Sequence, residues 1–220
     1  LTALDPTQAA RVPFLAAVGA YADLDTTLRF LASGRIFLRG RMRRVQPDPY
    51  GRLVFLRTYE EFLGAQDREA LGAMVARRTG EPHASLLDLV GSLSPDGRLI
   101  YDLFETAAPD QAPGLIERLP PQLKDRMAAL SPARHSFAAL GAKLFLVHAR
   151  DDGTFPASEA YRLRELARPV VPVRLLVVEA LQHVDPRPWR TDPWGFLTRD
   201  LPEALQLAWW WYGLLGERKS

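Results

Sequence analysis

The last third of this chain alternates short apolar runs with a helical pattern, which restricts the fold more than any other feature. Lys143 to Val147 and Val173 to Val178 are near-continuous apolar stretches of the kind a strand buried on both faces produces, and Ala157 to Ala167 between them has helical spacing. A strand, a helix and a second strand imply parallel pairing with a right-handed crossover, because no tight turn can join parallel strands. Val12 to Gly19 is a third run of this character. After it, Asp23 is a candidate N-cap for an amphipathic helix over Leu24 to Ala32 that stops at Ser33-Gly34. A helix over Asp200 to Leu215 closes the chain. The expected class is α/β with a mostly parallel sheet, in which functional groups collect at the carboxyl ends of the strands.

The middle of the chain differs. Arg35 to Arg44 is rich in arginine and ends at the turn cluster Pro47-Asp48-Pro49-Tyr50-Gly51, which marks a boundary. From Arg52 to about Ala139 the periodicity is helical, over Leu53 to Leu63, Asp67 to Thr79, Ser85 to Leu93, Leu99 to Ala107 and Gln122 to Leu130. Segment 47–139 therefore reads as an all-helical insertion between sheet-forming segments 1–46 and 140–220.

Composition excludes several classes. At 220 residues, 47% apolar, the chain can build one core with or without an insertion. With no cysteine, disulfides and thiolate chemistry are impossible. Only three of the 28 basic residues are lysine, and net charge is +2. The run Arg35, Arg39, Arg41, Arg43, Arg44 could bind phosphate, nucleic acid or a membrane surface, but such a run usually is a solvated face, and no nucleic-acid partner is expected. His83, His135 and His148 show no metal-binding spacing, so neither metal nor cofactor is expected. No apolar run reaches the roughly 18 residues of a membrane span, and no targeting signal is visible.

Two residues carry chemistry. Asp152 lies in the loop after Lys143 to Val147, and His183 follows Val173 to Val178 by a similar margin, one helix and one strand later. A carboxylate and an imidazole on successive loops at one sheet edge can meet, and an imidazole held by a carboxylate is the general base a hydroxyl nucleophile needs. Taken singly, Asp152 reads as a turn residue and His183 as a loop imidazole; their order supplies the inference. Tyr21 and Asp23, after the first strand, are candidates to line the same pocket.

At these positions the sequence resembles the α/β-hydrolase family, whose acid loop commonly reads HGxxDxxVP. Here it reads His148-Ala149-Arg150-Asp151-Asp152-Gly153-Thr154-Phe155-Pro156, with Ala149 for the usual Gly and Phe155 for the usual Val or Ile. The resemblance implies a partial α/β-hydrolase fold, with Asp152 as catalytic acid, His183 as base, Val12 to Gly19 as the strand after the nucleophile's helix, and the helical insertion as a cap. The family's nucleophile lies in G-x-S-x-G between strand and helix, and no such motif occurs in these residues. Ser33, Ser85, Ser92, Ser94, Ser131, Ser136, Ser158 and Ser220 all lie in helix ends, turns or the insertion.

The resemblance therefore implies the C-terminal portion of a serine hydrolase of esterase type, inactive by itself, whose Ser lies in a preceding segment that packs on this chain. Its substrate would be a small ester-like molecule. The alternative is a non-catalytic binding or assembly protein on a partial hydrolase fold. Asp200-x-x-Glu203 resembles a capping box, and of the consecutive Trp209, Trp210 and Trp211, one or two must face outward, toward a missing segment, a partner or a membrane surface.

Overall fold

The structure, a computed structural model, describes residues 1–38, 40–49, 51–52, 55, 62–81, 83–106 and 108–217. Its strands are β1 (Phe14–Val18), β2 (Arg35–Leu38), β3 (Arg41–Arg44), β4 (Lys143–Ala149), β5 (Val173–Val178), β6 (Leu181–Gln182) and β7 (Asp185–Pro186). The chain divides into two compact units, one of Leu1–Leu24 with Leu130–Ser220 and one of Asp25–Ala129. The cuts fall after residues 24 and 129, earlier on both sides than the expected 46 and 139.

The first unit is α/β, a small parallel sheet with helices. Its sheet has the order β1-β4-β5, with Phe14 to Val18 in register with Lys143 to Val147, and Leu144 to Ala149 with Val173 to Val178. The reason lies in β4, where Leu144 through Val147 are all buried. Side chains alternate across a strand, so Leu144 and Leu146 join one core with Leu140, Leu163, Ala167 and Val171, while Phe145 and Val147 join another with Val178, Trp210 and Leu214. The helix Ala157–Ala167 thus supplies the first core and the helix Leu201–Gly216 the second. Fully burying each such side chain stabilises by about 1.5–3 kcal/mol. β1 is equally apolar but lies at the sheet's edge, with Leu15 and Val18 exposed.

The C-terminal helix corrects one expectation. Asp200 and Glu203 form no capping box, because a π-helical turn over Phe196–Asp200 runs straight into Leu201–Gly216 and leaves no free N-terminus there. Asp200 pairs instead with Arg190, and the Glu203 carboxylate accepts hydrogen bonds from the backbone N–H groups of Glu179 and Ala180 at 2.7–2.9 Å, just after β5. Of the three tryptophans, Trp210 is buried edge-on against Phe145, and Trp209 and Trp211 are exposed.

The second unit contains most of Leu24–Ser33, then Ala65–Gly80, Leu87–Val90, Pro95–Tyr101 and Ala112–Glu117, and most of Pro121–Leu130. Ser94 caps its helix by accepting from the N–H of Gly97, and is itself held by the buried carboxylate of Asp67. The helix expected over Leu53 to Leu63 falls largely outside the described residues, as do Arg39 and Tyr50. The arginine-rich stretch Arg35 to Arg44, for which the periodicity predicts no element, forms the antiparallel hairpin β2–β3. Among the described residues no helix is long and apolar enough to cross a membrane.

Candidate functional site at the carboxyl edge of the sheet

Three loops converge beyond the carboxyl ends of β1, β4 and β5. From β1 comes Gly19, whose φ of +64° suits glycine and whose N–H donates to the Val147 carbonyl at 3.0 Å. From β4 comes Asp152, three residues beyond the strand's end and 1% exposed. From β5 comes His183.

The Asp152 loop closes on its own carboxylate. Oδ1 accepts from the backbone N–H groups of Thr154 at 2.8 Å and Phe155 at 3.0 Å, a local turn of the kind Asp favours. That leaves Oδ2 directed out of the loop, where it accepts from Nδ1 of His183 at 2.9 Å. One oxygen of Asp152 thus serves its own turn and the other meets His183.

His183 sits in the turn of a two-residue hairpin, between β6 and β7, which pair Leu181 with Pro186 and Gln182 with Asp185. Its φ is +54°, among the described residues the one non-glycine at positive φ. A left-handed conformation costs a residue with a Cβ about 1–2 kcal/mol, and strain of this kind concentrates at functional sites. With Nδ1–H donated to Asp152, Nε2 is left unprotonated, and the side chain is 28% exposed. This is the tautomer and the accessibility a general base requires.

The imidazole is wedged as well as bonded. A Cβ built on Gly19 would lie 3.1 Å from both Cε1 and Nδ1 of His183, so glycine there makes room for the ring. On another side the Phe155 ring lies 5.8 Å away, and Tyr21 stacks on Phe155 at 5.2 Å. Burial pushes the Tyr21 phenol above its ordinary range, and its hydroxyl donates to the Leu130 carbonyl. Asp23 has its own cationic neighbours. It is buried against Arg134 and Arg162, each at 3.2 Å.

Beneath Asp152 lies His148, wholly buried. Its Nε2 is 2.8 Å from the Phe155 carbonyl and 3.5 Å from Asp152 Oδ2, so that nitrogen carries the proton and donates to the carbonyl. Burial lowers its pKa below 6.5, so the ring is neutral in the folded protein. The unfolded chain therefore takes up a proton at His148 before the folded one does, and stability must fall as pH drops from about 6.5 toward the folded value. We expect urea midpoints to fall less between pH 7.5 and 5.5 in His148→Gln than in wild type, the slopes differing by at most about 1.4 kcal/mol per pH unit. Equal slopes would show that His148 is not buried neutral.

Element order brings Asp152 and His183 to one sheet edge, but neither the hairpin turn that presents His183 nor the Gly19 contact is legible in the sequence. Only the Val-Gly ending of the first apolar run hints at the latter. A cavity of about 340 Å³ flanks the hairpin on the side of Leu181, Trp189, Arg190 and Leu207 and includes neither member of the pair. Among the described residues no cluster of side chains is arranged to hold a metal ion. No family model matches the chain, and comparison with curated proteins and with solved structures finds nothing similar to it.

Proposed function

We propose that Asp152 and His183 are the acid and base of a serine hydrolase of α/β-hydrolase type, acting on a small ester-like substrate, and that the nucleophilic Ser lies outside these 220 residues. The observation that carries the reading is the 2.9 Å bond from His183 Nδ1 to Asp152 Oδ2, which leaves Nε2 free of the acid on a ring whose side chain is 28% exposed. The exposed, apolar edge of β1 supports the second half. A further parallel strand laid there would end on the same sheet edge as Gly19, and a Ser in the turn after it is the nucleophile the reading requires. Attack by that Ser on an ester carbonyl would pass its proton to Nε2, and the imidazolium would return it to the departing alkoxide. Asp152 would stabilise the imidazolium without itself taking the proton.

The test uses the chain extended by whatever coding sequence lies in frame before Leu1. The upstream reading is expected to contain a strand, G-x-S-x-G and a helix, and a fluorophosphonate probe is expected to label that Ser and to stop labelling it in His183→Ala. No labelling of the extended chain, or labelling unaffected by His183→Ala, would sink the proposal. A non-catalytic assembly protein remains the second reading, favoured by the exposed face of Leu205, Trp209 and Tyr212 on the C-terminal helix. It predicts an extended chain without G-x-S-x-G.

A further inference from the structure

The hairpin β2–β3 presents surface chemistry unrelated to the Asp152–His183 pair. Its register sets Arg35 opposite Arg44 and Phe37 opposite Met42. Directly opposed residues of an antiparallel pair share a face, so these four side chains lie together. Phe37 is 66% exposed and Met42 63%, two large apolar groups side by side in water. Behind them two guanidinium groups stand on adjacent strands, an arrangement that repels. On the other face Arg41 and Arg43 stand opposite Leu38 and Ile36, all four residues of β3 are exposed, and Ile36 is buried. From Arg35 to Pro47 there is no acidic residue, and among the described residues Arg35, Arg41, Arg43 and Arg44 make no ion pair.

Exposed apolar side chains and uncompensated arginines each have ordinary explanations separately. Together on one narrow ribbon they complement a surface that is anionic outside and apolar immediately beneath, which is the headgroup boundary of a bilayer carrying acidic lipid. Nucleic acid fits less well. Phosphates would suit the arginines and a base could stack on Phe37, but nothing in a nucleic acid would receive Met42 beside it.

We propose that hairpin β2–β3 docks on anionic lipid surfaces, Phe37 and Met42 entering the acyl boundary while Arg35 and Arg44 meet the headgroups. Arg41 and Arg43, on the opposite face, add charge attraction, and their long stems let the guanidiniums reach up to the headgroup layer. The mode is peripheral and reversible, and it does not depend on the hydrolase reading.

The experiment is vesicle flotation of the chain, which separates bound protein from aggregates because aggregates sink. Phosphatidylcholine vesicles are compared with vesicles in which about one-third of the lipid is phosphatidylserine, at low and high salt. The chain is expected to float at least tenfold more with the anionic vesicles and to be released by high salt. Each arginine near such a surface is worth about fivefold, so Arg35→Gln with Arg44→Gln is expected to lower partitioning about 25-fold. Phe37→Ser with Met42→Ser is expected to abolish flotation while leaving the circular dichroism melt unchanged. Trp209→Ser with Tyr212→Ser serves as the control and is expected to float as wild type. Four outcomes would overturn the proposal: no flotation, equal flotation on neutral vesicles, flotation unaffected by both hairpin variants, or flotation lost in the Trp209 and Tyr212 variant but kept in the hairpin variants.

Discussion

Under the proposed mechanism, replacing Asp152 with Asn in the extended chain is expected to slow probe labelling and ester hydrolysis about 10⁴-fold, the loss that follows when a triad imidazole is held in the wrong tautomer. The structure says why so small a change would matter. Oδ1 is occupied by the N–H groups of Thr154 and Phe155 at 2.8 and 3.0 Å, and only an oxygen can accept from them. The Asn side chain must therefore place its NH₂ where Oδ2 now faces His183. Nδ1 then becomes the acceptor, the proton moves to Nε2, and the ring can no longer take a proton from a hydroxyl. The tautomer can be followed without any substrate: ¹⁵N NMR of His183 is expected to show Nδ1 protonated in wild type and Nε2 protonated in Asp152→Asn. A rate within tenfold of wild type, or an unchanged nitrogen pattern, would contradict the mechanism.

The second large effect concerns stability. Glu159, in the first turn of the helix Ala157–Ala167, is 2% exposed, and its Oε2 accepts from the backbone N–H groups of Ala22 at 3.0 Å and Asp23 at 2.8 Å. One buried carboxylate thus ties the turn after β1 to the helix after β4. Truncating it leaves two buried N–H donors without an acceptor, at about 1–3 kcal/mol each. Glu159→Ala is accordingly expected to destabilise the first unit by about 2–5 kcal/mol in urea unfolding, with faster hydrogen exchange at the amides of Ala22 and Asp23. Glu159→Gln keeps an oxygen that can accept both bonds and should lose less than half as much. A Glu159→Ala variant within 0.5 kcal/mol of wild type would show that these N–H groups find water instead.

The two results concern one sheet edge. Gly19, the Ala22–Asp23 turn, Asp152 and His183 occupy loops that follow successive parallel strands, and each is fixed by a contact from another loop or from a helix. Asp152 is held by its own loop, and His183 by a strained hairpin turn and by the space that Gly19 leaves. The hairpin is anchored in turn, since Glu203 of the C-terminal helix binds the backbone where the chain leaves β5. The helix carrying the tryptophans therefore supports the candidate base as well as the core.

The strands are legible in the sequence because burial on both faces demands an uninterrupted apolar run, and the helix between β4 and β5 is legible because one apolar face recurs every three to four residues. These are local constraints, satisfied by residues within a few positions of one another. Element order then places Asp152 and His183 on neighbouring loops, which is as far as local pattern reaches. The hairpin β2–β3 is not legible because the continuous apolar run Ile36 to Leu38 and the arginines at three of the four positions of β3 leave no alternation of apolar and polar residues to read.

What only the tertiary structure decides is which polar side chain meets which backbone. Glu159 reads in the sequence as an acidic residue suited to a helix N-terminus and Glu203 as half of a capping box; both instead serve N–H groups more than 20 residues away. The approach of His183 to Asp152, with Gly19 beneath the ring, likewise depends on a register between parallel strands that their own residues do not encode pairwise. Apolar burial is roughly additive along the chain and so survives as pattern. A hydrogen bond is directional and short, and its partner is set by where the whole fold brings two segments together.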